Sequence, residues 1–234
     1  MSRKSAVITV GLALAVTVTA ATALWMLSYQ PGFYRTALQN ELPPEERRDR
    51  SKRFVQATLR LVDEIRNEEQ WSEEFAEPGV NSWLADELPT KYAEWLPEGI
   101  AAPRVQFEQG ALQIAFQAKR DYWSGVVSAR VRAWVAGPNE LALEIQSLKA
   151  GLIPIPLDDA IDSIVEEMNR QGWRLEWKQS SGKDVLVVWL DRLGSSGDEP
   201  RPVLEGIELL PGRLRVSGSR ERPTATRTAE RDRK

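Results

Sequence analysis

The sequence predicts an α+β fold: an N-terminal transmembrane helix, then a curved, mostly antiparallel sheet packed against one or two amphipathic helices. Three observations predict it. Residues 6–27 form an uncharged apolar run. Apolar residues recur at helical spacing near 44–69 and again after Asp158. From Pro103 onward the apolar period switches to two, in short stretches separated by Gly, Pro and Asn turns.

The first element is AVITVGLALAVTVTAATALWML, from Ala6 to Leu27. At a rise of about 1.5 Å per residue it spans about 33 Å, enough for a hydrocarbon core of about 30 Å. Its hydroxyls are all threonines, which can bond back to helix carbonyls. Trp25 and Tyr29 suit an interface, and Pro31-Gly32 stops the helix. Arg3 and Lys4 keep the N-terminus on the cytoplasmic side, so the remainder is expected outside. A cleaved leader is the competing reading, with Ala21-Thr22-Ala23 as a small-x-small site. The apolar run continues through Leu24 to Leu27, which favours an anchor. The expected organisation is a cytoplasmic tip (1–5), a transmembrane helix (6–29), a linker with some helical character (30–43), an extracytoplasmic α+β domain (44–219) and a disordered charged tail (220–234).

Within the domain, Pro43-Pro44 and Glu45-Glu46 suit a helix start. Val55, Leu59, Val62 and Ile65, joined by Phe54, Thr58 and Leu61, predict its buried stripe. Its early basic residues, Arg47, Arg48, Arg50, Lys52 and Arg53, read as a solvated face balanced by nearby acids, with anionic headgroups as the other option. Residues 71–75 suit a strand or a last helical turn, Glu77-Pro78-Gly79 a turn, and 81–88 a short helix ended by Pro89. Val105 and Phe107, then Leu112, Ile114 and Phe116, predict a hairpin. Strands at 123–135 and 140–148 extend it into a meander. A Pro-rich crossing, Gly151 to Pro156, leads to a helix with Leu157, Ile161, Ile164, Val165 and Met168 on one stripe. Strands near 173–178 and 184–191 follow; the second is apolar on both faces, so both are expected to be covered. Val203–Leu209 and Arg213–Ser217 close the domain as a hairpin.

Charge and composition exclude several functions. Arg3 and Lys4 give the first 30 residues +2 and the tail from Arg220 carries +3, so the net −3 leaves −8 on residues 31–219. Such a surface opposes nucleic-acid binding, which needs cations to displace counterions. Without Cys or His there is no disulfide, thiolate metal site, His-ligated zinc or Ser-His-Asp triad. Asp158-Asp159 and Glu166-Glu167 are sequence neighbours that a helix splays about 100° apart, poor geometry for a carboxylate dyad. No cofactor is expected, and a non-catalytic domain is the reading.

Several motifs carry a resemblance. A Trp-containing segment leads to Asn81, a G-x-[IL]-P-[IL]-P stretch runs from Gly151 to Pro156, and the chain closes on a ΦxΦxxGxLxΦxG pattern from Ile207 to Gly218. In this order the chain resembles the YpmS-like group of uncharacterised bacterial single-pass membrane proteins, and more loosely the tubular lipid-binding superfamily. The resemblance covers about residues 50–219 and implies a curved sheet along a helix, enclosing an apolar groove. It carries over no catalytic residue.

The expected function is binding of a lipid or other amphiphile, beside the bilayer that residues 6–29 engage. The expected groove lining is Val127, Val131, Leu143, Ile145, Ile161, Ile164, Val165 and Met168. A filled core, making the domain a ligand-free structural or interaction module of the envelope, is the alternative. Nine tryptophans suit either membrane-interface rings or edge packing.

Overall fold

The computed structural model describes residues 17–19, 21, 22, 24–40, 42–120, 123–156, 165, 166, 168–170, 172–180, 183–190 and 201–220. Most of the expected transmembrane segment, the tail from 221, and Leu157, Ile161 and Ile164 lie outside these residues. The described residues between 17 and 27 are helical, and Leu24 and Trp25 are exposed. Among the described residues no helix is long and apolar enough to cross a membrane.

Pro31 sets extended backbone ahead of helix α1, Gly32–Gln39. α1 lies against the sheet through Tyr34, which is wholly buried with Ala115 and Val126. Its hydroxyl donates to the Ala102 carbonyl at 2.9 Å. Helix α2, Pro44–Asn67, starts with proline in its first turn, followed by Glu45 and Glu46, as the exposed helix N–H groups favour. Its buried face differs from the expected stripe. Ser51 and Ala57 are buried, while Leu59 and Val62 are exposed. α2 approaches helix α3, Glu77–Lys91, most closely at Gly79, where an added Cβ would lie 3.4 Å from the Phe54 Cβ and 3.6 Å from the Arg50 carbonyl oxygen. Phe54 fills the remaining space, its ring 5.5 Å from Phe75 and 5.8 Å from Trp83. The basic residues of α2 find acids: Arg47 meets Asp86 at 2.6 Å, Arg50 meets Glu46 at 2.7 Å, and Lys52 meets Asp49 at 3.8 Å.

α3 is longer than expected at both ends. Glu77-Pro78-Gly79 forms its first turn rather than a separate turn, because first-turn N–H groups have no helical partner for proline to remove. Pro89 sits inside the helix, which closes only when the Tyr92 N–H reaches the Leu88 carbonyl.

The strands form two sheets. Strand β1, Gln70–Ala76, pairs with β10, Arg213–Arg220, which pairs with β9, Pro202–Leu210. The larger sheet holds β2 (Ile100–Glu108), β3 (Ala111–Arg120), β4 (Trp123–Gly137), β5 (Glu140–Ala150), β8 (Lys183–Trp189) and β7 (Arg174–Ser180) in spatial order, with short β6 (Ile153–Pro154) beside β5. All pairings are antiparallel. The meander β2 to β5 is as the period-two pattern predicts. Val185, Leu186, Val187 and Val188 are all buried, so β8 is covered on both faces as its sequence demands. The separate small sheet is not visible in the period, since β1 and β10 meet from opposite ends of the domain.

The two sheets join where their hairpin turns meet. The Gly110 N–H donates to Leu209 at 2.8 Å, and the Gly212 N–H to Phe107 at 3.0 Å. Val105, Phe107 and Leu209 form the core between them, with Val80 and Leu84 of α3 packed on it. A second tie is Asn139, in the β4–β5 turn with φ of 57°. Its amide donates to the Pro202 carbonyl at 2.9 Å and accepts the Leu204 N–H at 2.7 Å.

The N-terminal helical segment ends on the domain instead of leading into slack chain. The Leu152 N–H donates to the Met26 carbonyl at 2.9 Å. Gly151 makes this possible: its φ is +60°, and a Cβ there would lie 2.2 Å from the Met26 oxygen. The Gly-Leu-Ile-Pro-Ile-Pro stretch is therefore a seat for the helix end as well as a crossing.

Candidate functional site

The described part of the expected groove lies on one face of the larger sheet. Val131 pairs with Ile145, Ala133 with Leu143, and Val127 with Ala150. Directly paired residues share a face, so Val127, Val131, Leu143 and Ile145 line one surface together with Ala129 and Leu148. Irregular register between Arg130 and Val131 keeps these side chains aligned while bending the strands. All four are half-buried, as are Val165 and Met168 on the described helical residues that follow. Ile161 and Ile164 lie outside the described residues. One end of the same face is closed by Leu209 and the core around it.

Polar chemistry concentrates at the free edge of β2, where sequence reasoning assigned none. An edge strand exposes N–H and C=O groups that must be paired or hydrated. Here α3 pairs them. Asn81 donates to the Val105 carbonyl and accepts the Val105 N–H, both at 2.8 Å. Glu77 accepts the Phe107 N–H at 2.7 Å. The only sequence signal is two polar side chains four residues apart on a helix that otherwise faces apolar surface. Burial pushes the Glu77 carboxyl above the usual carboxylate range, and the Phe107 N–H pulls partly the other way. A raised folded-state pKa gives a stability contribution present below the unfolded value and lost as pH rises through the folded one. Glu77→Gln, whose carbonyl can still accept from Phe107, is expected to flatten that loss. Chemical denaturation from the carboxylate range up to neutral pH checks it: at neutral pH the variant should be no less stable than the wild type.

Beside this edge lies a cleft of about 510 Å³ between α1, α2, α3 and β2. Arg47, Arg50 and Arg104 reach it, with Asn40, Ser82 and Gln106 as further polar walls. Phe33, Ala37, Leu42 and Val105 give it an apolar side. Arg104 is only 4% exposed and donates to the Pro103 carbonyl at 2.8 Å. It follows a β-bulge in which Ala102 takes φ of 49°. A smaller cleft of about 340 Å³ runs between α2, β1 and the start of α3. Neither cleft is lined by the eight residues expected from sequence. Among the described residues no cluster of three or more carboxylates could hold a metal.

Comparison with protein-family profiles, with curated proteins and with solved structures finds no match for this chain.

Proposed function

We propose that this chain is a membrane-anchored, extracytoplasmic domain that holds a lipid or other amphiphile against the half-buried apolar face of its larger sheet. The observation that carries the reading is the continuity of that face. Val127, Ala129, Val131, Ile145, Leu148 and Leu143 form one apolar surface across paired strands, and none of them is fully buried. A close-packed core would bury them. The seat of the N-terminal helix end on Gly151 and Leu152 supports the anchoring half. It places the sheet end that bears β6 immediately beside the apolar run, so an acyl chain has a short path from bilayer to sheet. The YpmS-like and tubular lipid-binding resemblance points the same way.

The test is lipid extraction and mass spectrometry on the full chain purified in a mild detergent. About one co-purifying lipid per chain is expected, with a several-fold drop in Val131→Trp, which fills the face. Lipid-free protein of both kinds would defeat the reading and leave a structural or interaction module of the envelope.

A further inference from the structure

We propose that the loop after α3 is a second membrane contact, with the ring of Trp95 set in the interfacial layer of the same bilayer that the N-terminal segment enters. The inference rests on the anchoring reading above and is independent of any lipid held on the sheet face.

The backbone brings this loop to the end of the domain where the helix end is seated. Glu77 meets Phe107 and Asn81 meets Val105, so α3 runs along β2 back toward the first residue of that strand. A tight helical turn, Ala93–Trp95, follows α3. The Ile100 N–H then closes the loop by donating to the Pro97 carbonyl at 3.0 Å. The Lys119 N–H donates to the Gly99 carbonyl at 2.8 Å, which fastens the loop to the last residues of β3. Ile100 pairs with Ala118, and Ala118 pairs with Gly125. The N-terminal helix end lies against Gly125: the Leu27 oxygen is 3.1 Å from where a Cβ would stand there. The loop therefore enters β2 two strand spacings, about 10 Å, from the strand that carries the helix end. With the apolar run in the bilayer, this end of the sheet is the one that faces it.

Trp95 is 63% exposed. A single exposed ring is ordinary on a protein surface. This one differs in how it is held and in what stands near it. Phe54, Trp83, Tyr92 and Trp95 stack in series, with ring centroids 5.8, 5.7 and 4.6 Å apart. The series starts in the contact between α2 and α3 and ends on an exposed ring that is already ordered, so a contact there loses little side-chain freedom. Trp25, 67% exposed, and Tyr29, also exposed, flank the seated carbonyls of Met26 and Leu27. Trp and Tyr collect at bilayer interfaces, where the ring meets the acyl region and its N–H or O–H stays wet. Trp173, which is exposed as well, stands at the other end of the sheet: Arg174 pairs with Trp189, and Trp189 with Glu140 beside the β4–β5 turn. Charge around the loop is mixed, with Glu94 and Glu98 against Lys119 and Arg120, all exposed. The contact is therefore with the interface itself rather than with anionic headgroups, and a neutral bilayer suffices.

The chain has no cysteine, so single-cysteine labels report on chosen positions. The full chain is reconstituted into phosphatidylcholine vesicles that contain lipid brominated near the headgroup end of its acyl chains. An NBD fluorophore is placed at Glu98→Cys in the loop, at Gln109→Cys in the β2–β3 turn, or at Thr22→Cys in the apolar run. Emission from Glu98→Cys should shift to the blue and be quenched by the bromines, and emission from Gln109→Cys should do neither. Trp95→Ala added to Glu98→Cys should cut the quenching several-fold, whereas Trp173→Ala should leave it unchanged. Both rings are exposed, so both variants should keep the parent's circular dichroism. Quenching at Thr22→Cys without quenching at Glu98→Cys would overturn the second contact and leave the anchor standing, with a protein partner as the remaining occupant for the ring. No quenching at Thr22→Cys would overturn the anchoring reading and this inference with it. Quenching at Glu98→Cys that Trp95→Ala does not reduce would overturn the role given to Trp95.

Discussion

Replacing Asn139 by alanine is expected to destabilise the fold by about 3 kcal/mol. Two effects combine. The amide is the link between the β4–β5 turn and the start of β9, bonding the Pro202 carbonyl at 2.9 Å and the Leu204 N–H at 2.7 Å. Pro202 and Leu204 are buried, so the groups left behind would not be freely rehydrated. Asn139 also holds φ of 57°, where asparagine is tolerated and alanine is strained. A glycine at this position separates the two: it removes the bonds and relieves the backbone, so it should cost about 2 kcal/mol. For a domain of this size each kcal/mol lowers the thermal midpoint by about 2–4 °C. Alanine should therefore lower it by about 6–12 °C and glycine by less. Equal losses would show that backbone conformation contributes nothing at this turn.

The second large effect is expected at Gly151. A methyl group there would lie 2.2 Å from the Met26 oxygen and 2.8 Å from the Leu27 oxygen, both backbone atoms. The φ of +60° adds strain for any L side chain. Gly212 supplies the control, because it shares a positive φ of +74° and a methyl group added there would have nothing within 4 Å. Gly212→Ala should cost only the conformational strain, about 1 kcal/mol. Gly151→Ala should cost clearly more, and by release of the helix end from its seat rather than by opening of the sheet. Limited proteolysis reads the difference. Cleavage between Ser28 and Arg35 should accelerate about tenfold in Gly151→Ala and stay unchanged in Gly212→Ala. Equal cleavage in both variants would mean that the contact between Leu152 and Met26 does not hold the helix end.

The contrast between what sequence foretold and what it hid follows from the range of each interaction. The strands β2 to β5 were legible because alternation such as Val127, Ala129, Val131 and Ala133 is a local pattern set by the pleat. The burial of β8 was legible because Val185 to Val188 are apolar on both sides. The pairing of Gln70 with Ser219 was not, since nothing in either segment names the other. The buried face of α2 was misread for a physical reason. Leu59 and Val62 are larger and more apolar than Ser51 and Ala57, yet the buried side is set by what packs against the helix, Phe75 of β1 and Trp83 of α3 around Phe54, which the helix's own sequence does not name. Pro78 and Pro89 misled at both ends of α3 because tolerance for proline depends on which N–H would have been bonded. Of the site residues, Val127, Val131, Leu143 and Ile145 do share one face, as alternation and strand order required. The roles of Asn81, Glu77 and Arg104 are not legible in the sequence, because they depend on the backbone atoms of a distant strand edge and on a bulge that no local pattern announces. Gly151 reads in sequence as the start of a Pro-rich crossing; its partner, the Met26 carbonyl, which explains why glycine stands there, is not legible locally.

The account depends above all on residues 6–29 crossing a bilayer with the domain outside. The absence of native cysteine makes this directly measurable with single cysteines. Lys52, whose side chain is 71% exposed on α2, and Ser2 are the positions to compare. With a membrane-impermeant maleimide on spheroplasts, Lys52→Cys should label fully before lysis and Ser2→Cys only after it, with the full-length protein retained in carbonate-washed membranes. Protection of Lys52→Cys until lysis, or recovery of the full-length chain in the soluble fraction, would contradict the account.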